Sequence, residues 1–227
     1  MNIPAALSQC TLFTGIDESR LPSLLDCLKA VTRKYGKDDF IFSAGGKASA
    51  IGIVLSGAVR ILQEDFWGNR AILAHMGPGE IFGEAFACAG HGTLSVSVAA
   101  SETSEIMTLA YPGIVTPCQS ACEFHTMLVM NMMRTLAGKN IQLTRKLEHL
   151  SRRTIRQKLL SFLSAQAALA RKSTVEIPFN KKELAEYLCV DRSALSRELG
   201  AMRDEGLIRY DRKNFELLQP EYPLACK

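Results

Sequence analysis

The sequence predicts an α+β protein with an antiparallel β-roll of the double-stranded β-helix or jelly-roll type, then a long helix, then two short helices and a β-hairpin. Three observations lead to this prediction: β-prone segments separated by regularly spaced glycines, a heptad pattern of apolar residues, and a capped helix pair in front of the hairpin. We expect three parts, with the roll and an N-terminal helix at 1–118, the long helix at 119–151 and the helix pair at 152–227.

The N-terminal third carries the signals of a helix followed by a sheet. Leucines recur at helical spacing in the first 30 residues, which predicts an amphipathic helix. Glycines then stand at 46, 57, 68, 79 and 90, each 11 residues after the last, as expected for one strand between successive turns. A sheet closed into a roll leaves a small interior that can hold a ligand. The clearest strands are expected at 51–56, 58–63, 70–75 and 94–100.

Residues from about 117 to 150 are expected to form the long helix. Its apolar residues recur in alternating steps of four and three, a heptad seam that predicts a parallel coiled coil with a second copy of the chain. Asn140 is the one polar member of the seam and would fix its register. The alternative is that the stripe packs on the roll, although Met127, Met130 and Met132 lie off the seam and can serve that purpose. The dimer seam comprises Val129, Met133, Leu136, Asn140, Leu143, Leu147 and Leu150.

The last third contains two capped helices. Asn180 and Glu183 have the spacing of a capping box and begin a helix that ends near Leu188. After a tight turn, Asp191 can cap a second helix that reaches about Asp204. A β-hairpin follows, so the segment has the pattern of a winged helix-turn-helix, and this motif binds double-stranded DNA.

The second helix of this pair has two different faces. Leu195, Leu199 and Met202 recur at i, i+4 and i+7 and are expected to face the core. The opposite face carries two arginines and two hydroxyls and no acid, which suits contacts to phosphates and base edges. The alternative is an ordinary helical hairpin whose charges are only solvated. The predicted DNA-binding residues are Arg192, Ser193, Ser196 and Arg197 on this helix, Lys181 and Lys182 on the first helix, and Arg212 and Lys213 at the hairpin tip.

Composition and charge narrow the function further. The chain has 227 residues, 47% of them hydrophobic, which is enough for a packed core. Residues 151–227 carry 15 Lys and Arg against 10 Asp and Glu, whereas residues 1–150 carry 12 against 13. The positive excess therefore lies with the helix pair, as nucleic-acid binding requires. With no long apolar run and no signal segment, we expect a cytoplasmic protein without membrane contact, and its seven cysteines to be reduced thiols.

Catalytic and metal-binding patterns are not found in the sequence. We see no P-loop, no Cys-x-x-Cys and no Ser/His/Asp group. A cupin-type metalloenzyme gathers histidines at close spacing, but the four histidines are scattered at 75, 91, 125 and 149. We therefore expect no enzymatic activity, no metal and no cofactor.

Placed in order, these motifs resemble the CRP/FNR family of bacterial transcription regulators. The resemblance is carried by residues 54–60 and 77–84 in the roll and by residues 191–199 and 202–208 in the winged helix-turn-helix. It implies a homodimer that binds a near-palindromic operator, a small effector in the roll that alters DNA affinity, and RNA polymerase as a further partner.

One departure from the family concerns the effector. In its cyclic-nucleotide members a Gly-Glu pair is followed by an Arg-Ser pair that holds the cyclic phosphate. Here Gly83 and Glu84 match, but Leu94 stands at the arginine position. A buried phosphate would lack its charged partner, so cyclic AMP is not the expected effector. Lys139 can partly replace that charge. The resemblance places the effector among Gly83, Glu84, Leu94, Ser95, Lys139 and Thr144.

Two alternatives of the same family stay open: a regulator that needs no effector, and a thiol- or redox-responsive one. Cys118 and Cys122 lie one helical turn apart, which suits chelation or oxidation. Only Cys10 and Cys27 occur in the first 87 residues, too few for a four-thiolate cluster.

A second departure concerns the operator. Many members have a glutamate where this helix has Ser193, and an acid there can accept a hydrogen bond from cytosine. We therefore expect the operator to differ at one position per half-site. Arg197 is the candidate for a bidentate guanine contact.

Overall fold

The computed structural model describes residues 5–90, 92–116 and 124–218. The chain divides into two compact units, Met1–Asn140 and Ile141–Lys227, which we call the sensor unit and the reader unit. Cys118 and Cys122 lie outside the described residues, so the hypothesis that they chelate a metal or respond to oxidation stays a prediction.

The sensor unit begins with short helical pieces instead of the single amphipathic helix that we expected. These are α1 (Ala5–Gln9), 3-10 turns at Thr11–Phe13 and Glu18–Arg20, and α2 (Leu21–Cys27). The helical path is interrupted because Gly15 takes a φ of +80°, and Asp17 then caps a new turn by accepting from the Ser19 amide at 2.8 Å.

In the described part of the sensor unit, eight antiparallel strands form two four-stranded sheets. The α+β fold class with an antiparallel sensor domain is thereby confirmed. Two short helices, α3 (Glu84–Ala89) and α4 (Tyr111–Val115), complete this part. The strands are β1 (Val31–Tyr35), β2 (Phe40–Phe42), β3 (Ala50–Ser56), β4 (Val59–Glu64), β5 (Arg70–Met76), β6 (Ile81–Phe82), β7 (Ser97–Ala100) and β8 (Ser104–Ala110). One sheet has the order β1-β8-β3-β6 and the other the order β2-β7-β4-β5.

The glycine rhythm marks real turns, but two strand predictions need correction. Gly57 and Gly68 take positive φ in the β3–β4 and β4–β5 connections. The interval from 79 to 90, however, holds the two-residue strand β6 and the helix α3. The strand expected at 94–100 begins only at Ser97. Leu94 instead exchanges backbone hydrogen bonds of 2.8 and 2.9 Å with the turn at Gly45 and Gly46, which keeps it out of the ladder with β4.

The long helix, α5 (Phe124–Leu150), crosses the boundary between the two units. In the sensor unit Leu128 and Met132 are buried in the core, and Met127 and Leu136 pack against it. The off-seam methionines Met127 and Met132 therefore pack with the sensor core, whereas Met130 is exposed.

The reader unit continues with α6 (Ile155–Ala170), which Thr154 caps by accepting from the Gln157 amide at 3.1 Å. The elements that follow are β9 (Thr174–Glu176), α7 (Lys181–Leu188), α8 (Arg192–Asp204), β10 (Ile208–Asp211) and β11 (Asn214–Leu217). The strands form an antiparallel sheet in the order β10-β11-β9, which packs with the helices. Across the described ranges of both units, no helix is long and apolar enough to span a bilayer.

Candidate functional site

The helix pair of the reader unit begins at two side-chain caps. The Asn180 side chain accepts from the amides of Lys182 and Glu183, and Glu183 accepts from the Asn180 amide, so the capping box is complete. Cys189 ends α7 in the left-handed conformation with a φ of 52°. Asp191 then caps α8 by accepting from the Ala194 amide at 2.8 Å. The local sequence thus fixes where both helices start.

The two faces of α8 differ sharply in burial. Leu195, Leu199 and Met202 are fully buried. On the other side, Arg192, Ser193, Ser196 and Arg197 are all exposed. The structure therefore brings the four proposed DNA contacts of this helix onto one solvent-facing surface, which we call the α8 face.

A short hydrogen bond organises the beginning of the α8 face. The Ser193 hydroxyl donates to Asp191 Oδ1 over 2.6 Å, beside the bond from the Ala194 amide to the same oxygen. The Ser193 hydrogen bond, together with these amide bonds and the charge of Arg197, lowers the pKa of Asp191 below its usual range. Asp191 is therefore an ionised cap at neutral pH.

Arg156 holds α8 against α6 through contacts that sequence reasoning missed. Its Nε donates to Glu198 at 2.6 Å, and its two terminal nitrogens donate to the carboxylate of Glu205 at 2.7 Å each. These side-chain hydrogen bonds raise the pKa of Arg156. The bidentate geometry suits a guanidinium and fixes direction as well as distance. No spacing rule could reveal it, because the partners lie 42 and 49 residues away.

The hairpin tip and the start of α7 enclose a basic surface cleft of about 530 Å³, which we call the wing cleft. Its cationic residues are Lys181, Arg212 and Lys213, and the Lys181 ammonium lies 4.9 Å from the Tyr210 ring centroid. Lys182 points elsewhere, with its ammonium 3.9 Å from Glu186. The structure thus groups three of the four basic residues predicted outside α8.

The end of α5 contributes two buried basic groups to the reader unit, and neither was expected. Lys146 is 8% exposed, with its ammonium 4.0 Å from the Tyr187 ring centroid, and burial lowers its pKa to about 8. One turn on, a His149 ring nitrogen lies 2.7 Å from the Ser161 hydroxyl, and burial also lowers the pKa of this histidine. Neither residue belongs to the predicted dimer seam of α5.

The candidate effector site of the sensor unit centres on a buried ion pair. Gly83, at a φ of +82°, turns the chain into α3, and Glu84 is the first residue of that helix. The Glu84 side chain is 4% exposed and its Oε1 lies 2.7 Å from the Lys139 ammonium. The same ammonium donates to the Ile81 carbonyl and lies 3.8 Å from the Met76 sulfur. The positive charge of Lys139 is therefore neutralised by Glu84.

The remaining predicted effector residues are not alike. Leu94 is buried at 6% exposure, whereas the neighbouring Ser95 is exposed. Thr144 belongs to the reader unit and is exposed. One oxygen of the buried ion pair, Glu84 Oε2, has no hydrogen-bond partner in the described part of the chain. A ligand with a donor group would satisfy it.

The predicted dimer seam of α5 is largely uncovered in the single chain. Met133 and Leu147 are 60% and 67% exposed, and Val129 and Leu143 are also exposed. Leu136 packs against the sensor core, and Asn140 is exposed. The last member, Leu150, is half-buried. Large apolar side chains in such a row are typical of a protein–protein contact.

Comparison with known proteins identifies both parts of the chain. Residues 32–116 match the cyclic nucleotide-binding domain, and residues 157–222 match the Crp-like helix-turn-helix domain. The cAMP-activated global transcriptional regulator CRP of Haemophilus influenzae is 24% identical over 175 residues, which cover 77% of this chain and 78% of that protein. The cyclic AMP receptor protein of Thermus thermophilus is 27% identical over 177 residues, covering 78% of this chain and 79% of that protein.

A solved structure supports the same fold. The c-di-GMP-responsive global regulator CLP of Xanthomonas campestris superposes with a TM-score of 0.74 at 19% identity, covering 89% of this chain and 100% of that one. A cyclic nucleotide-binding domain followed by a Crp-like helix-turn-helix, together with these relatives, shows that the chain is homologous to transcription regulators of the CRP/FNR family.

Proposed function

We propose that this chain acts as a homodimer that recognises a near-palindromic operator, with the α8 face of each protomer in the major groove. The observation that carries the proposal is the α8 face itself, with four exposed donors and acceptors opposite three fully buried apolar residues. Two such helices in a dimer would lie about 34 Å apart, one turn of B-DNA. The wing cleft would contact the phosphate backbone beside them.

The DNA-binding proposal is tested with an Arg197→Ala variant. Duplexes are first selected from a randomised pool by the wild-type protein, and affinities are then measured by fluorescence anisotropy. Loss of a bidentate guanine contact is expected to weaken binding at least about tenfold per half-site. Arg203→Ala is the matched control, because Arg203 is an exposed arginine on the same helix whose guanidinium lies 2.8 Å from Asp204. Equal effects of the two variants, or no effect of salt on binding, would contradict the proposal.

The dimer is proposed to form along the exposed seam of α5. Leu143 and Ile141 offer a matched pair, because both are 56% exposed but only Leu143 belongs to the heptad seam. Leu143→Asp is expected to shift the dimer to monomers in sedimentation equilibrium, whereas Ile141→Asp should leave it intact. Identical association states for the two variants would show that the contact lies elsewhere.

We further propose that a small molecule other than cyclic AMP controls DNA binding from the sensor unit. Leu94 offers no charge to a phosphate, and Lys139 is already neutralised by Glu84, so the pair adds no net positive charge. The effector would act by binding one arrangement of the dimer more tightly than the other. Tight binding of cyclic AMP in isothermal titration calorimetry would overturn this part of the proposal.

A second candidate function is effector-independent regulation, favoured by the same ion pair. Lys139 on α5 is joined to Glu84 on α3 inside the sensor unit, at 2.7 Å between the charged atoms. Such a contact can hold this end of α5 in place without an effector. Operator affinity that stays constant across a panel of nucleotides and metabolites would favour this candidate over the effector-controlled one.

A further inference from the structure

The first turn of α8 contains a hydrogen bond between Ser193 and Asp191 that bears on how the operator is recognised. The inference drawn from it rests on the proposed DNA-binding function. In a helix-turn-helix, residues near the start of the recognition helix contact base edges. Ser193 is the second residue of α8 and is exposed on the α8 face. A free serine hydroxyl can donate or accept, so by itself it would discriminate poorly between bases.

Here the hydroxyl proton of Ser193 is already committed. It lies between Ser193 Oγ and Asp191 Oδ1, which are 2.6 Å apart. An ionised carboxylate has no hydrogen to give, so the serine must be the donor. A separation this short is typical of a charge-assisted bond from a hydroxyl to a carboxylate. The same carboxylate oxygen also caps the helix through the Ala194 amide, so Asp191 is held in place independently of Ser193.

With its proton engaged, Ser193 Oγ offers only lone pairs to solvent or DNA. In the major groove, adenine N6 and cytosine N4 carry amino donors, whereas guanine and thymine present acceptors to a side chain in the same place. We propose that Ser193 acts as an acceptor-only specificity residue and selects adenine or cytosine, and not guanine or thymine, on the strand that it faces. The Asp191–Ser193 pair thereby provides the acceptor that a single acidic side chain would provide at this position.

The neighbouring arginine has the opposite hydrogen-bonding character to Ser193. Arg197 lies one turn further along the same face and carries only donors, which suit the acceptors of guanine. One half-site would therefore be recognised by a donor side chain and an acceptor side chain at adjacent heights on α8. A serine hydroxyl that was free to donate could also bind the acceptors of guanine or thymine, and this division would be lost.

The experiment combines protein and base substitutions in a double-mutant cycle. The wild-type full chain selects duplexes of about 30 base pairs, long enough for two half-sites one helical turn apart, from a randomised pool. In the selected duplex each adenine is then replaced by purine and each cytosine by pyrimidin-2-one, which removes only the amino group. Affinities of wild-type, Ser193→Ala and Ser196→Ala proteins are measured by anisotropy at one salt concentration. Ser196→Ala is the matched control, since Ser196 is an exposed serine one turn along α8.

We expect one position per half-site at which amino removal weakens wild-type binding about fivefold, the value of one ordinary hydrogen bond. At that position Ser193→Ala should show no further loss, whereas Ser196→Ala should show the wild-type loss. Asp191→Asn keeps a capping oxygen but not the charge, so it should tolerate guanine or thymine at the same position better than wild type does.

The inference is overturned if the Ser193-dependent position holds guanine or thymine. It is also overturned if amino removal has the same effect in the wild-type and Ser193→Ala proteins at every position. These results differ from a failure of the proposed function, in which the wild-type protein would enrich no common sequence at all, and which would remove the inference with it. Circular dichroism of each variant verifies that a loss of affinity does not reflect unfolding.

Discussion

The two candidate sites of this chain are built from contacts of opposite range. On α8, Asp191 binds groups two and three residues further along the chain. In the sensor unit, Lys139 reaches Glu84 across 55 residues of sequence. A site made of local contacts can be recognised from residue spacing, whereas a site made of long-range contacts depends on the packed fold. Residue spacing can therefore reveal the cap and the α8 face, whereas the Glu84–Lys139 pair follows only from packing.

The largest effect is expected from breaking the long-range contact. Lys139→Met would leave the Glu84 carboxylate, 4% exposed, buried without a cation. Loss of one partner of a buried pair should lower the free energy of unfolding of the sensor unit by about 4 kcal/mol. Urea denaturation followed by far-ultraviolet circular dichroism measures this change.

A double substitution provides the control for this prediction. Lys139→Met combined with Glu84→Met removes both charges, so it should recover more than half of the lost stability. If the single variant loses less than about 1 kcal/mol, the pair is solvated and the contrast between the two sites disappears.

The second prediction uses pH to compare a buried lysine of the reader unit with a half-buried one. The pKa of Lys146 is about 8 in the folded protein because burial disfavours its charge, against an ordinary value of 10.5. Between pH 8 and pH 10.5 the unfolded chain therefore binds more protons than the folded chain, and the free energy of unfolding should rise with pH. The full rise is at most about 3 kcal/mol.

Denaturation at several pH values in this window measures the effect of Lys146, and a variant without the ammonium isolates it from other groups. Lys146→Met should lose the rise, whereas Lys158→Met, which removes a half-buried ammonium on α6, should keep it. A rise of equal size in the Lys146→Met variant would assign the titration to another residue. Tyr187 is not a candidate, because burial raises the pKa of its phenol and the free energy of unfolding would then fall with rising pH.

The third prediction concerns Arg156, the long-range contact of the reader unit. Arg156→Met would release α8 from the three hydrogen bonds that join it to α6. We expect operator affinity to fall about tenfold while the dependence of log affinity on log salt keeps its slope, because no phosphate contact is lost. Arg152→Met is the control. Arg152 is exposed, and its guanidinium lies 3.3 Å from the carboxylate of Glu148, which belongs to α5 and not to α8. A reduced slope would show that Arg156 contacts DNA directly.

The features of the fold that depend on local contacts could be predicted from the sequence. Both caps of the helix pair and the burial of Leu195, Leu199 and Met202 agree with the structure, because each depends on neighbours within about two helical turns. The fold class was also predicted correctly, since glycine turns and alternating strands are local signals.

The errors have a tertiary cause. Leu94 was assigned to a strand because its neighbours are β-prone. Its backbone instead pairs with the turn at Gly45 and Gly46, which lie 49 and 48 residues earlier in the chain. The ion pair between Glu84 and the ammonium of Lys139 was likewise not predicted, while the assignment of Glu84 to an effector site stays a prediction. Neither contact has a periodicity that a single sequence could reveal. Packing decided both outcomes.

The smallest effect separates stability from DNA binding at one residue of the wing cleft. Arg212 occupies the left-handed region with a φ of 52°, where a side chain with a Cβ is strained and glycine is not. Arg212→Gly should therefore raise the free energy of unfolding of the reader unit by about 0.5 kcal/mol while removing one cation from the wing cleft. In salt titrations of operator binding the slope should fall by about 0.9 for each protomer. Lys213→Gly removes a cation from the same tip without a positive φ to relieve, so it should reduce the slope equally and stabilise nothing. A stabilised Arg212→Gly protein with an unchanged slope would place the hairpin tip outside the DNA contact.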